Sequence, residues 1–280
     1  VSIETGVLYI VATPIGNLGD MSPRAVEILS GVDLIAAEDT RHSARLLNHF
    51  GINTRCIALH EHNERDLSDD LINRLKKGES MALISDAGTP LISDPGYPLV
   101  QKAHESGIKV VTVPGPSACM AALSVSGLPT DRFAFEGFLP ARGAARRTHL
   151  EPLVDEPRTL IFYESPHRIR ETLGDMRTVF GGDREAVIAR ELTKTFETVR
   201  RDSLDELTEW LEADANQQKG EFVILVRARR QESGSNEQET TRILQILLPE
   251  LPLRQAVALT VKITGQKKNL VYEQAVKLKK

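Results

Sequence analysis

Leu83-Ile84-Ser85-Asp86-Ala87-Gly88-Thr89-Pro90-Leu91-Ile92-Ser93-Asp94-Pro95-Gly96 decides how this chain is read. It leaves Met81 to Ile84, an apolar run with the length and composition of a buried strand. It then meets Gly88, free to take a positive φ, and Pro90, which has no N–H to donate. Asp94-Pro95-Gly96 follows, with Pro and Gly in the second and third places of a type II turn. Two forced turns this close, with two aspartates, are more than an ordinary strand-to-helix connection. At the carboxyl end of a parallel strand, such a loop is where open α/β sheets hold ligands. Its small residues let the backbone approach a ligand and offer it N–H groups. Pro114-Gly115-Pro116-Ser117 adds a second small-residue loop nearby.

Working outward, strand and helix alternate. Val7 to Ala12, Asp33 to Ala37, Cys56 to Leu59 and Ile108 to Val113 read as strands beside Met81 to Ser85. Between them lie helical patterns at Ser22 to Gly31, Ser43 to Phe50, Asn63 to Lys77 and Tyr97 to Ser106, with one more at Pro116 to Ser126. Ser22-Pro23 supplies a cap and a first helical residue, and glycines stand at the helix ends. The pattern predicts a mostly parallel five-stranded sheet with helices on both faces. Leu128 to Ala144 mixes Pro, Gly and the aromatics Phe133, Phe135 and Phe138, and reads as a crossing to a second domain. There Thr159 to Tyr163, Ala186 to Ala189, Thr198 to Arg201 and Glu221 to Val226 are strand-like, with helices near Arg168 to Phe180 and Asp205 to Ala213. The runs Glu185 to Leu192 and Phe196 to Arg201 have no helix between them, so a hairpin and a mixed sheet are expected. The expected division is an α/β domain at 1–127, a second α/β domain at 128–230, a polar linker at 231–240 and a small helical, basic module at 241–280. In that module Ile243 to Leu248 and Ala256 to Ile263 carry the apolar periodicity.

With 280 residues, 41% hydrophobic and 26% charged, the chain is long enough for two domains. A net charge of −4 argues against a protein that simply coats a polyanion, so a nucleic-acid site must be a local patch. The two cysteines, Cys56 and Cys119, sit in apolar patterns with no disulfide framework or zinc spacing, which suits the cytoplasm. No apolar run approaches the roughly 18 residues a membrane span needs, and no signal peptide is visible.

A nicotinamide fold would carry G-x-G-x-x-G after the first strand. Thr13-Pro14-Ile15-Gly16-Asn17-Leu18-Gly19 lacks that spacing, and no Walker sequence occurs. The glycine-rich loop follows the fourth strand instead, which calls for a ligand lying across the sheet edge and shared with the second domain. Glu38-Asp39-Thr40-Arg41-His42 closes the second strand on that edge. Asp39 or Glu38 could act as a base there and Arg41 as a phosphate clamp. The other reading is a capped helix start with a surface salt bridge. His60-Glu61-His62-Asn63-Glu64 lacks a third ligand at useful spacing, so no metal is expected, and a helix cap or a cleft wall is the better reading. Lys194 is either a substrate contact or a surface lysine. Arg142, Arg146, Arg147 and His149, then Arg200 and Arg201, then Arg227, Arg229 and Arg230, with the lysines of the tail, suggest polarised charge suited to an RNA backbone.

These strings together resemble the tetrapyrrole methylase-like S-adenosylmethionine methyltransferases. Within that family they are most similar to the branch that methylates the ribose 2′-oxygen of a cytidine in 16S ribosomal RNA. The resemblance is carried by Thr13 to Leu18, Ala37 to Arg41, Ser85 to Pro90 with Asp94 to Gly96, Pro114 to Ala118, Tyr163 to Arg168, Arg190 to Lys194, and Gly220-Glu221. It implies a two-domain α/β fold, a homodimer, and S-adenosylmethionine in the cleft between the domains. It implies that Asp86, Ala87, Gly88, Thr89 and Ile92 hold the amino-acid and ribose end, with Pro14 close by. Ser117 and Ala118, at a helix start, would face the methionyl carboxylate. Tyr163, Leu192, Glu221 and Phe222 would enclose the adenine. It also implies small-subunit ribosomal RNA or the 30S particle as partner. Two other readings remain open from the residues: a same-fold methyltransferase acting on a tetrapyrrole or a protein residue, and a non-catalytic RNA-binding or ribosome-assembly factor.

Overall fold

The computed structural model describes residues 3–229 and 233–279. They fall into two compact units, Val1–Arg227 and Ala228–Lys280.

The first unit opens with β1 (Val7–Val11), α1 (Pro23–Gly31), β2 (Leu34–Ala37), α2 (Thr40–His49), β3 (Cys56–Ala58), α3 (Glu64–Lys76), β4 (Met81–Ile84), α4 (Tyr97–Glu105), β5 (Lys109–Val113) and α5 (Ala118–Val125). The five strands make a wholly parallel sheet in the order β3-β2-β4-β1-β5. Alternate side chains fill both faces. Val7, Tyr9 and Val11 pack on one side with Ile28 and Leu29, while Leu8 and Ile10 pack on the other with Leu71 and Leu99. A strand buried on both faces reads as a continuous apolar run, which is why these strands are legible in the sequence.

The unit continues with β6 (Phe133–Phe138), α6 (Gly143–Leu150), β7 (Thr159–Glu164), α7 (Ile169–Phe180), β8 (Glu185–Arg190), β9 (Thr198–Ser203), α8 (Leu204–Ala213) and β10 (Phe222–Val226). Its sheet is ordered β6-β7-β10-β8-β9 and is mixed: β6 runs parallel to β7, and every other pair is antiparallel. The expected β8–β9 hairpin is present. The stretch 128–144, expected as a crossing, instead holds the edge strand β6 and the start of α6. An edge strand pairs on one side only and tolerates the Gly and aromatics that obscured it. Helix α5 is the seam. Its Cys119, Ala122 and Leu123 pack with Ile161, Val187, Val223 and Leu225 of the second sheet. Its other side, with Met120, Ser124 and Val125, is exposed. The boundary expected near residue 127 thus separates two sheets inside one compact unit.

The second unit holds α9 (Ser233–Leu247), α10 (Leu253–Thr264) and α11 (Lys268–Leu278) around Leu244, Val257, Val271 and Ala275. The linker expected at 231–240 is helical from Ser233 onward, while residues 230–232 lie outside the described ones. Helices propagate cooperatively from a packed segment, so Ile243 and Leu244 carry the polar residues before them into the helix. Helix α11 falls within the helical module expected at 241–280, although the apolar periodicity there stops at Ile263; Val271 and Ala275 form its buried face. Among the described residues no helix is long and apolar enough to cross a membrane.

The basic clusters need correction. Arg146 is buried and paired with Asp175 (2.6 Å) and Glu171 (3.3 Å), and Arg147 with Asp175 (2.7 Å). Arg200 pairs with Asp202, while Arg201 and Arg227 both pair with Glu185. Carboxylates thus neutralise five of the arginines that looked like a polarised surface, Arg146, Arg147, Arg200, Arg201 and Arg227.

Candidate active site

The carboxyl ends of β1, β2, β4 and β5 converge on one cavity of about 350 Å³, closed by the second sheet. That volume suits a small ligand.

The loop after β4 is held from both sides. Thr13 and Gly88 exchange backbone hydrogen bonds, the Thr13 amide to the Gly88 carbonyl at 2.8 Å and the reverse at 3.0 Å. The Thr89 hydroxyl donates to the Pro116 carbonyl at 2.9 Å. Gly88 has φ +86°, and a Cβ there would stand 3.3 Å from the Ile15 side chain. Of the loop's N–H groups, that of Gly88 is spent on Thr13. The loop's glycine serves the fold of the site and brings its backbone close. Leu91 (φ 75°) and Ser93 (φ 70°) share the left-handed region without being glycine. Glu191 (φ 52°) and Thr193 (φ 67°) do the same in the loop after β8, and these are the four such residues among those described. Strain of this kind concentrates where the surrounding structure over-determines a site.

The structure separates the two candidate bases. Asp39 caps α2, accepting from the Arg41 amide at 2.8 Å, and pairs with the Arg41 guanidinium at 3.3 Å. The helix begins at Thr40 rather than near Ser43, so the capping alternative describes Asp39 and Arg41, and neither lines the cavity. The Arg41 side chain, then its amide, hold the Asp39 carboxyl below the usual carboxylate range. Glu38 does line the cavity. Burial raises its pKa, and the charges of Asp86 and Glu61 add to the rise. Cross-bonds fix the pair of strand ends: the Asp86 amide donates to Glu38 Oε2 at 3.3 Å, and the Asp39 amide to Asp86 Oδ1 at 3.2 Å.

Asp86, Ala87, Gly88, Thr89, Ile92, Ser117, Ala118, Tyr163, Leu192, Glu221 and Phe222 all line the same cavity. Pro14 does not, although its neighbour Ile15 does. The Tyr163 hydroxyl accepts from the Cys119 amide at 3.1 Å, where the Ser117 side chain makes no capping bond. Lys194 lies at the rim as a brace. Its amine bonds Glu191 (2.9 Å) and Glu221 (3.0 Å), and a Cβ on Gly16 would stand 2.5 Å from its stem. Burial works against the charged amine, but the two carboxylates hold its pKa above the ordinary lysine value.

Asp94, Phe138, Glu164 and Ser165 also line the cavity, and sequence reasoning missed them. Asp94 was visible as the turn residue before Pro95. Phe138 was hidden by the unread edge strand. Glu164 is buried and bonded to Arg168 (2.8 Å) and the Thr172 hydroxyl (2.6 Å), within Tyr163-Glu164-Ser165-Pro166-His167-Arg168. Five acidic residues line the cavity, Glu38, Asp86, Asp94, Glu164 and Glu221, and no Lys, Arg or His does. Arg168 answers Glu164 and Lys194 answers Glu221. Glu38, Asp86 and Asp94 form an acidic stretch of the wall. His60 and Asn63 close the start of α3 through an amide-to-Oδ1 bond of 2.9 Å. Among the described residues no three His, Cys, Asp or Glu side chains are grouped to hold a metal ion.

Comparison with known proteins adds to this geometry. The family model described as Tetrapyrrole (Corrin/Porphyrin) Methylases matches residues 7–208, and the model described as RsmI C-terminal HTH domain matches 235–279. The chain is 58% identical to a protein of Pseudomonas aeruginosa named Ribosomal RNA small subunit methyltransferase I, over 98% of each chain. It is 54% identical to a Vibrio cholerae protein of the same name, over 95% of this chain and 93% of the relative. Among solved structures, diphthine synthase aligns with a TM-score of 0.62 at 18% identity, over 80% of this chain and 90% of that one. Uroporphyrin-III-C-methyltransferase from Thermus thermophilus aligns at 0.55 and 18%, over 80% and 94%. At such identities these two speak for the fold alone.

Proposed function

The chain belongs to the tetrapyrrole (corrin/porphyrin) methylase family and is a methyltransferase, and from that premise we propose that it binds S-adenosylmethionine and methylates the ribose 2′-oxygen of a cytidine in small-subunit ribosomal RNA. Near-full-length identity to relatives named for small-subunit ribosomal RNA carries the substrate reading. The cavity supports the cofactor. Its acidic wall at Glu38, Asp86 and Asp94 suits the sulfonium and ammonium charges. Ser117 and Ala118 at the start of α5 suit the carboxylate, and Leu192, Phe222 and Val223 offer apolar surface to the adenine.

When bound, the cofactor supplies an electrophilic methyl group. This chain's residues must hold a ribose hydroxyl in line with it and take up the hydroxyl proton. Glu38 has the better claim to that proton. It lines the cavity and burial raises its affinity for protons, whereas Asp39 is held low by Arg41. Arg41, 91% exposed at the same strand end, is placed to meet a phosphate of the incoming RNA. Lys194 supports the rim. The same reading makes the protein a cytoplasmic homodimer. Met120, Val125, Phe196 and Val199 leave large apolar side chains exposed for a second copy, which sedimentation would detect. The helical second unit, matched by a helix-turn-helix model, is read as holding RNA.

The test is incubation with tritiated S-adenosylmethionine and separated ribosomal components. Label should enter small-subunit RNA, and the product should lack one band in an alkaline hydrolysis ladder, because a 2′-O-methyl group blocks attack on the adjoining phosphorus. A complete ladder with label on a base would reject the 2′-oxygen. Label in a protein or a small molecule would reject RNA.

A further inference from the structure

Phe138 is the one large aromatic of the cavity wall that stands mostly open, 53% exposed. Its position is built. Strand β6 pairs in register with β7 at Phe133–Thr159, Ala134–Leu160 and Phe135–Ile161, then slips, so that Gly137 meets Phe162 and Phe138 meets Tyr163. Glu136 is the extra residue. Side chains alternate between faces along a strand, so one inserted residue reverses the face of all that follow. Ala134 and Phe162 pack toward α7 and α8, whereas Phe135, Ile161 and Tyr163 pack toward α5 and the cavity. Without the bulge, Phe138 would pair with Glu164 and share the face of Ala134 and Phe162 instead of that of Phe135 and Tyr163. With it, Phe138 lies edge-on to Tyr163, ring centres 5.6 Å apart. Gly137 makes the turn at φ +67°, and a Cβ there would stand 3.2 Å from Ser93 Oγ, a cavity-lining residue of the loop after β4. The bulge is thus clamped against the ligand loop, with an open aromatic ring at the rim.

We propose that Phe138 is the stacking platform for the base of the acceptor nucleotide. This rests on the reading of the chain as an RNA 2′-O-methyltransferase. A cavity closed on one side by the second sheet favours a nucleotide splayed out of the RNA stack, and proteins recover the lost stacking on aromatic side chains. The cofactor's adenine has a better place at Leu192, Phe222 and Val223, which are buried, than at a half-open ring on the rim. Packed edge-on against Tyr163 and still half exposed, Phe138 keeps a ring face free for a ligand.

The test compares wild type with Phe138→Leu, Phe138→Trp and Phe138→Tyr. Methyl transfer to 30S particles gives kcat and KM, and calorimetry with S-adenosylhomocysteine gives the cofactor-side affinity without relying on activity. Phe138→Leu should raise KM for the particles about tenfold, leave kcat near wild type and leave S-adenosylhomocysteine binding unchanged. The Trp and Tyr variants should keep a KM near wild type. Weakened S-adenosylhomocysteine binding in Phe138→Leu would move the residue to the cofactor, and an unchanged KM would remove it from recognition; either result overturns the proposal. Wild-type protein that binds S-adenosylhomocysteine but leaves 30S RNA unlabelled would overturn the RNA reading itself, and this platform with it.

Discussion

Two loops line the cavity from opposite sheets, 85–96 after β4 and 190–198 after β8, and they are held by different forces. Each contains two non-glycine residues at positive φ, Leu91 and Ser93 in one, Glu191 and Thr193 in the other. The first carries no ion pair in its ties: the Thr13–Gly88 backbone pair, the Thr89 hydroxyl on Pro116, and the Asp86 and Gly96 amides donating to Glu38 and Glu64. The second is tied by charge. Buried Arg190 donates to the carbonyls of Asn216, Lys219 and Phe196, and Lys194 bridges Glu191 and Glu221. The carboxylates that tie the first loop accept amide hydrogen bonds without a cationic partner, while the second loop's are committed to ion pairs with Lys194. Chemistry should be lost from the first loop's neighbourhood, and tuning from the second's.

The largest effect is expected at Glu38. Glu38→Gln keeps the hydrogen bond from the Asp86 amide but removes the proton acceptor. Turnover should fall about 10²- to 10⁴-fold, the usual range for a general base, with S-adenosylhomocysteine affinity changed far less. Asp39→Asn should cost less than tenfold, since Asp39 acts through the α2 cap. Similar losses in both would erase the distinction between them. Gly88→Val comes next. Its φ of +86° and the Ile15 contact leave no room for a branched side chain, and cofactor affinity should drop roughly a hundredfold or more through misplacement of the loop. Unchanged affinity in a folded variant would mean that this loop is not the cofactor's.

Acid sharpens the contrast. Burial pushes the Asp94 carboxyl up to about 6, with Glu38 and Asp86 adding to the rise against a hydrogen bond from Ser85. In the unfolded chain the group titrates near 3.8. Between those values the folded state holds the extra proton, so this group's ionisation lowers stability as pH rises toward and past 6. A cationic ligand needs the ionised form. From pH 7 to 5, cofactor affinity should fall about tenfold, a change proportional to [H⁺] below a pKa near 6, while the ligand-free protein gains stability from Asp94. Asp94→Asn should flatten that part of both profiles, and wild-type affinity that holds steady down to pH 5 would take Asp94 out of cofactor binding. The smallest effect belongs to the charged loop. Lys194→Met keeps the stem against Gly16 and removes both ion pairs. A partly exposed pair contributes about 1 kcal/mol or less, so cofactor affinity should weaken only about two- to fivefold, and its salt dependence should shrink. A loss as large as that of Gly88→Val would show the two loops to be equal partners.

Much of this protein could be read in one dimension because its signals are local. Strands buried on both faces appear as apolar runs such as Val7-Leu8-Tyr9-Ile10-Val11, and turns appear where Gly88, Pro95 and Gly96 leave the chain few other conformations. Those signals placed the parallel sheet, the β8–β9 hairpin and the loop at the cavity. Tertiary structure alone decided what depends on partners far along the chain. Glu38 and Asp39 are adjacent in sequence; the α2 cap by Asp39 is local, but only the approach of Asp86 fixes Glu38 at the cavity. Arg146 looked like a surface charge until Asp175 met it in the interior. Phe138 looked like part of a crossing until pairing with β7 inserted Glu136 and turned the ring to the other face. Charge partners and strand register are set by residues tens of positions away, and no periodicity or turn chemistry within a short window carries that information.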